Sequence, residues 1–259
     1  EILPDLLWKT LDNLVLTSAT LTIKDQFKYF IQNYGLKSCD TLKIESPFNY
    51  KEQAVLAIPH NIPPANSPDF MKNIEKTLTN MLISYGGNTL VLFTSYKMLN
   101  YCLHKMEEKL NQKNINILPQ GRYPRHHIIN SFKENSSQII FGTVSFWEGI
   151  DIRGDDLRYL IMMKLPFPVP SEPVTAARSE LLEKNNINPF YNYSLPRAVI
   201  RFKQGFGRLI RSRQDKGMIA VLDNRIIKKN YGEIFLNSLP DGCPVKKVKK
   251  DSLIRKSKK

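Results

Sequence analysis

The residues best suited to chemistry lie in the stretch Gln204-Gly-Phe-Gly-Arg-Leu-Ile-Arg211. If residues 197–210 form a helix, its polar face holds no acid and consists of Arg201, Gln204, Arg208 and Arg211. An arginine fork pairs well with phosphate oxygens. Glycine costs about 1 kcal/mol in a helix, so Gly205 and Gly207 suggest close approach by another group. The pattern predicts a polyphosphate-binding face; a solvent-exposed basic face on a core helix is the alternative.

Composition points to a polyanionic partner. The 259 residues suffice for one large domain or one and a half, and 42% hydrophobic residues allow a substantial core. The net charge is +14 and the pI is about 9.6, which favours nucleic acid or nucleotide as a partner. Residues 246–259 carry half of the excess charge, so we predict a basic tail there.

Cysteine and hydropathy patterns limit the compartment and the metals. Cys39, Cys102 and Cys243 show no paired spacing, which fits a reducing compartment and is too few for a four-thiolate cluster. Adjacent His126 and His127 would point about 100° apart on a helix, so we expect surface histidines and no metal site. No apolar run approaches the ~20 residues that span a bilayer. We expect a cytoplasmic protein with no membrane partner, and the missing initial Met suggests a piece of a longer chain.

Apolar strands alternate with amphipathic helices along the chain. We predict a short buried strand at 14–16, a helix at 25–34 with Thr22 and Asp25 as a capping box, and an edge strand near 54–58. Further strands are predicted at 89–93, 116–118, 138–142, 157–163 and 218–223, and helices at 68–84, 97–110, 123–133, 176–184, 197–210 and 228–237. This alternation predicts an α/β fold with a mostly parallel sheet, helices on both faces, and ligands at the carboxyl ends of the strands.

Small polar residues follow two of these strands. Thr94 and Ser95 follow strand 89–93 and precede a helix, a natural place for a nucleic-acid phosphate. In the loop after strand 138–142, Thr143 could contact a phosphate, and Asp151 could contact a ribose hydroxyl or an arginine. The alternative for this loop is structural, with Trp147 in the core.

In order, Thr-Ser-Ala-Thr-Leu (17–21), Leu-Phe-Thr-Ser (92–95), Phe-Trp-Glu-Gly-Ile-Asp (146–151) and Gln-Gly-Phe-Gly-Arg-Leu-Ile-Arg (204–211) resemble motifs III to VI of superfamily 2 helicases. The Trp-Glu-Gly-Ile-Asp and Gly-Arg-Leu-Ile-Arg forms are similar to the DinG/XPD branch. The resemblance spans residues 14–225. It implies a RecA-like lobe of the P-loop NTPase type, the second motor lobe of an ATP-dependent DNA helicase in a bacterial cytoplasm.

The resemblance also implies site roles. Arg208 and Arg211 match arginine fingers, and Gln204 matches a γ-phosphate contact. Residues that match nucleotide binding and coupling are Glu148, Gly149 and Asp151, together with Thr17, Ser18 and Thr20; the capping of a helix is the alternative for the last three. The nucleic-acid path would use Thr94, Ser95 and Thr143.

The chain contains neither a Gly-x-x-x-x-Gly-Lys-Ser/Thr loop nor an Asp-Glu-x-His motif. The resemblance therefore places the main grip on ATP and Mg²⁺ in a first lobe upstream, and we expect no hydrolysis, metal or iron–sulfur cluster in this chain alone. The expected division is the end of the first lobe at 1–38, the second lobe at 39–245 and the basic tail at 246–259. The expected partners are the first lobe and single-stranded DNA or RNA. Two alternatives stay open: regulatory lobes of a DinG-like 3'-5' exonuclease, and a non-catalytic nucleic-acid-binding module.

Overall fold

The computed structural model describes residues 8, 10–36, 39–147, 152 and 156–254. Within these residues seven strands form one parallel sheet: β1 (Ala54–Pro59), β2 (Thr89–Leu92), β3 (Asn116–Pro119), β4 (Gln138–Gly142), β5 (Tyr159–Met162), β6 (Gly217–Val221) and β7 (Val245–Val248). Their order across the sheet is β3-β4-β2-β5-β6-β1-β7. The predicted α/β fold with a parallel sheet is confirmed.

Helices α1 (Lys28–Tyr34) and α2 (Tyr50–Gln53) precede β1. The helices between the strands are α3 (Phe70–Tyr85), α4 (Tyr96–Asn111), α5 (Arg125–Glu134), α6 (Val144–Trp147), α7 (Pro173–Lys184), α8 (Leu195–Phe206), α9 (Arg225–Lys228) and α10 (Gly232–Leu236). A π-helical turn at Phe190–Ser194 runs directly into α8, and a 3₁₀ turn at Lys250–Leu253 follows β7. The helix predicted at 228–237 is in fact divided into α9 and α10.

The sheet is covered on both faces because successive strand residues alternate between two apolar clusters. Leu90 and Leu92 lie in the cluster that includes α8, whereas Val91 and Phe93 lie in the cluster that includes α3 and α4. All four residues of β2 are buried, and so are all five of β4. An apolar run with no polar alternation is what a central parallel strand requires.

The edge of the sheet formed by the C-terminal part of the chain differs from the prediction. β1 pairs with both β6 and β7, so β1 is not the edge. Residues 246–254 of the predicted tail belong to this body: Leu253 is 3% exposed, and its carbonyl accepts a hydrogen bond from the Tyr85 hydroxyl. The boundary predicted at residue 246 therefore falls inside β7. Lysines on an edge strand discourage pairing with another chain, which reconciles a basic sequence with a strand.

The amino-terminal segment also differs. No strand forms at 14–16; the side chain of Val15 is 88% exposed, and these residues pair with no strand among those described. The capping box predicted for Thr22 and Asp25 is wrong, because α1 begins at Lys28 and its N-cap, Phe27, makes no side-chain capping bond. The Thr22 hydroxyl instead accepts a hydrogen bond from Lys203.

The helix predicted over 197–210 ends early, at Phe206. The chain then turns through bonds of three-residue span, from Arg208 N to Gly205 O and from Leu209 N to Phe206 O. Leu209 enters the core at 2% exposure. Two glycines favour termination, and burial of Leu209 draws the chain toward β6. Arg208 and Arg211 thus follow the helix and do not share its polar face.

Candidate functional site

Arg208 is positioned by the loop that follows β4. Its Nε donates a hydrogen bond of 3.1 Å to the main-chain carbonyl of Trp147. Trp147 ends the short helix α6, which starts directly after Thr143. The contact brings a residue of the predicted nucleotide site against the loop of the predicted nucleic-acid site.

Trp147 itself lies in the core, as the structural alternative for its loop predicted. Its side chain is 1% exposed, and its indole Nε1 donates to the carbonyl of Phe93, directly after β2, at 3.2 Å. A Cβ at Gly205 would lie 2.6 Å from Trp147 Cε3. The group that approaches Gly205 is therefore the indole ring, and the interpretation of this glycine as polyphosphate-binding is wrong. Trp147 ties together the ends of β2 and β4 and helix α8.

This packing gives a matched pair of substitutions. Gly205→Ala should lower the free energy of unfolding by about 1–3 kcal/mol, because overpacking a filled core strains its neighbours. Gly207→Ala should leave it unchanged within about 1 kcal/mol, because the atom nearest to its added Cβ, at 3.5 Å, is in ordinary contact. Urea unfolding of both variants checks this; equal effects would contradict the role given to the Trp147 ring.

Arg211 is held through its main chain. The Asp215 carboxylate accepts hydrogen bonds from Arg211 N at 2.7 Å, Ser212 N at 2.9 Å and Ser212 Oγ at 2.5 Å. Asp215 is 3% exposed, and its own carbonyl accepts a bond from Gln53 Nε2 at 2.9 Å. Hydrogen bonds to a buried carboxylate are among the stronger kind. They fix the loop from which the Arg211 side chain starts.

Gln204 lies on α8 one turn before Arg208. Its Oε1 is buried and has no hydrogen-bond partner among the described residues. A buried acceptor without a partner carries a free-energy cost, which a donor such as a bound water could remove. In their chemistry, an acceptor for a water and two guanidinium donors are groups that a bound nucleotide phosphate would require. Arg201, also on α8, is partly buried.

The loops after β2, β3 and β4 meet at the predicted nucleic-acid site. Gln120, directly after β3, accepts from Thr143 N at 2.6 Å and from Thr143 Oγ1 at 3.0 Å. Its Nε2 donates to Tyr96 OH at 2.6 Å and to Ser145 Oγ at 2.9 Å. Sequence reasoning missed Gln120, although its place two residues after the strand predicted at 116–118 was a usable signal.

The three residues predicted to contact nucleic acid differ in exposure. Thr143 is 4% exposed. Ser95 is exposed and caps α4, because its Oγ accepts from Met98 N at 3.2 Å. Thr94, which directly precedes Ser95 in the chain, is partly buried. Thr143 therefore shapes the loop through Gln120, while Ser95 and the Tyr96 ring, 49% exposed, lie at the surface.

The remaining residues predicted for the nucleotide site lie on two other segments of the chain. Ser18 Oγ lies 3.4 Å from Thr20 Oγ1, and Thr17 and Ser18 are exposed. Glu148, Gly149 and Asp151 lie outside the described residues, so the predicted approach of Asp151 to the arginines stays a prediction. No group of three His, Cys, Asp or Glu side chains in the described part of the chain could hold a metal ion. Nor is any helix described there long and apolar enough to cross a membrane.

A buried ion pair closes the carboxyl ends of β5 and β6. Asp223 is fully buried, and its Oδ2 accepts from Arg225 NH2 at 2.6 Å and from Leu165 N at 2.9 Å. Nearby, Lys164 donates to the carbonyl of Ala65 at 2.6 Å. Burial lowers the pKa of Lys164, and the Arg225 charge lowers it further, while Asp223 opposes both. The Asp223 carboxylate therefore holds Arg225 and the loop that follows β5 together.

Comparison with known proteins identifies the fold and the family. The family described as "Helicase C-terminal domain" matches residues 78–242. The chain is 38% identical over 247 residues to "3'-5' exonuclease DinG" of Bacillus subtilis, covering 93% of this chain and 26% of that protein. It is 36% identical over 236 residues to "ATP-dependent DNA helicase YoaA" of Haemophilus influenzae, covering 91% of this chain and 36% of that protein. The chain thus spans about a quarter to a third of the length of these relatives.

The solved structure titled "XPD_Helicase" superposes with a TM-score of 0.67 at 18% identity, covering 91% of this chain and 42% of that chain. This likeness shows the fold alone, which is the RecA-like helicase domain predicted from the motifs. The motif order, the parallel sheet and the family match agree. The chain belongs to the family of helicase C-terminal domains and resembles that domain in the DinG and YoaA proteins.

Proposed function

We propose that the chain is the second motor lobe of an ATP-dependent DNA helicase of the DinG type. It supplies Arg208 and Arg211 as fingers to ATP and Mg²⁺ held mainly by a first lobe, and it forms part of a single-stranded DNA path. The observation that carries the proposal is the hydrogen bond from Arg208 to Trp147, because it joins the predicted nucleotide side to the predicted strand side.

The chemistry of phosphoryl transfer suits these residues. Charge develops on the γ-phosphate oxygens as the bond to the leaving group breaks, and fixed arginines stabilise that charge. Arg208 is held by its Nε, and the main chain of Arg211 is held by the Asp215 carboxylate. Gln204 offers an acceptor for a water beside the phosphate. ATP would bring the reactive bond; these side chains would orient it and stabilise its charge.

A DinG-like exonuclease with regulatory lobes is the second candidate, because the Bacillus subtilis relative carries that name. The experiment uses the full-length protein with ATP and a partial DNA duplex, with strand separation, nucleotide release from DNA and ATP hydrolysis measured in parallel. We expect ATP-dependent strand separation. Nucleotide release without strand separation would favour the exonuclease, and binding without ATP hydrolysis would favour a non-catalytic module.

The basic edge strand provides a further prediction about nucleic-acid affinity. Lys246, Lys247 and Lys249 are exposed, whereas deleting 246–259 would also remove β7 and Leu253. Replacing the three lysines with Gln should therefore be used instead. Each lost phosphate contact should flatten the log–log salt slope for single-stranded DNA by about 0.7. An unchanged slope in a salt titration of binding would mean that these lysines serve only the solvated edge of the sheet.

A further inference from the structure

A strained turn precedes α1. Ile23 and Gln26 exchange both main-chain hydrogen bonds, at 3.1 and 3.0 Å. Between them Lys24 and Asp25 have φ angles of 48° and 61°, in the left-handed region. Non-glycine residues there cost roughly 1 kcal/mol each. Strain of this kind persists where surrounding contacts fix the backbone, and it is a reason to look for a role.

The turn is fastened to the lobe from two sides. Lys203 on α8 donates from its Nζ to Thr22 O at 2.8 Å and to Thr22 Oγ1 at 3.2 Å. Lys24 N donates to the hydroxyl of Ser238, just after α10, at 3.1 Å. Thr22 is 9% exposed and Ser238 is 5% exposed. The turn is therefore an anchored part of the lobe, which the predicted assignment of 1–38 to the first lobe and its connection did not anticipate.

The donor in this contact, the ammonium of Lys203, is a partly buried charged group. Burial lowers its pKa, the Asp25 carboxylate opposes that shift, and the Lys43 charge adds to it. Burying a charged group is unfavourable unless strong hydrogen bonds compensate. Here the compensation comes from a segment 181 residues away in the chain. The contact therefore holds the turn before α1 in a fixed position on α8.

The Lys203–Thr22 contact lies next to candidate site residues on both of its sides. Thr22 follows the segment that carries Thr17, Ser18 and Thr20, and Lys203 directly precedes Gln204. We infer that Lys203 is a positioning residue, which clamps this segment against α8, the helix that carries Gln204 and leads into the turn of Arg208, so that both meet the nucleotide in register. The inference rests on the proposed function. It adds a physical link, through Lys203 and Thr22, between two candidate sites on separate elements.

The test combines hydrogen exchange with kinetics in the full-length protein. In Lys203→Met we expect the amides of residues 22–26 to exchange faster, while those of β2 and β4 keep their protection. The kcat of ATP hydrolysis with single-stranded DNA should fall about tenfold, because both hydrogen bonds of the ammonium to Thr22 are lost, with little change in KM for ATP. Lys203→Arg should recover most of the rate. Lys184→Met, at an exposed lysine on α7, is the matched control.

Wild-type exchange at residues 22–26 together with wild-type kcat would overturn the clamp. So would faster exchange throughout the sheet, because that would make Lys203 a general stabilising residue. If Lys203→Met does not fold, Ser238→Ala loosens the same turn from its other side, and unchanged exchange there would also overturn the inference. The exchange measurement does not depend on the fingers, so failure of the proposed function remains distinguishable from failure of the clamp.

Discussion

Replacing Arg208 or Arg211 with alanine is expected to lower the kcat of DNA-stimulated ATP hydrolysis in the full-length protein by roughly 10³–10⁵. A finger stabilises charge that develops as the γ-phosphoryl group leaves, so its loss lowers the rate more than it weakens ATP binding. Lysine should rescue poorly at either position, because it lacks the planar fork that bridges two oxygens. Steady-state hydrolysis and a separate measurement of ATP affinity check both parts.

Arg201→Ala is the matched control, because Arg201 lies on α8 and not on the turn or loop beyond it. We expect its effect to be much smaller. Near wild-type hydrolysis by both Arg208→Ala and Arg211→Ala would rule out the motor function. Arg208 is anchored by its bond to the Trp147 carbonyl and Arg211 by the bond of its main-chain N–H to Asp215, so the two substitutions test side chains with different anchors.

The sheet could be predicted from sequence because its central strands are continuous apolar runs. β4 has the predicted bounds, and β2 differs from its prediction by one residue. Parallel order follows from alternation with helices. The edge strand β7 was missed because Val-Lys-Lys-Val carries charge typical of a tail. Its strand identity depends on pairing with β1, which lies far away in the sequence.

Site residues were found where their chemistry is local and missed where it depends on packing. Arg208 and Gln204 stand out by type and spacing. The path of the chain after α8 depends partly on the buried carboxylate of Asp215, which the helical pattern does not reveal. Gly205 suggested close approach by another group, but the identity of that group as the Trp147 ring requires the folded arrangement. The Lys203–Thr22 contact joins residues 181 positions apart, beyond any local pattern.

Trp147→Phe tests whether the core tryptophan positions Arg208. Phenylalanine keeps a ring beside Gly205 but loses the indole bond to the Phe93 carbonyl. The free energy of unfolding should fall by about 2 kcal/mol, because a buried carbonyl loses its donor and the smaller ring leaves space. Helix α6 should then shift, and the carbonyl that holds Arg208 Nε should shift with it.

Misplacing a catalytic group by about 1 Å can cost roughly 10²-fold in rate, so Trp147→Phe should lower DNA-stimulated kcat by about 10- to 100-fold at temperatures where the variant is folded. Trp8→Phe is the matched control, because the indole of Trp8 also donates to a main-chain carbonyl, that of Tyr34, but at an exposed site. It should leave kcat near wild type. If Trp147→Phe lost stability yet kept the full rate, Trp147 would be only a core residue, and Arg208 would be positioned by its other contacts.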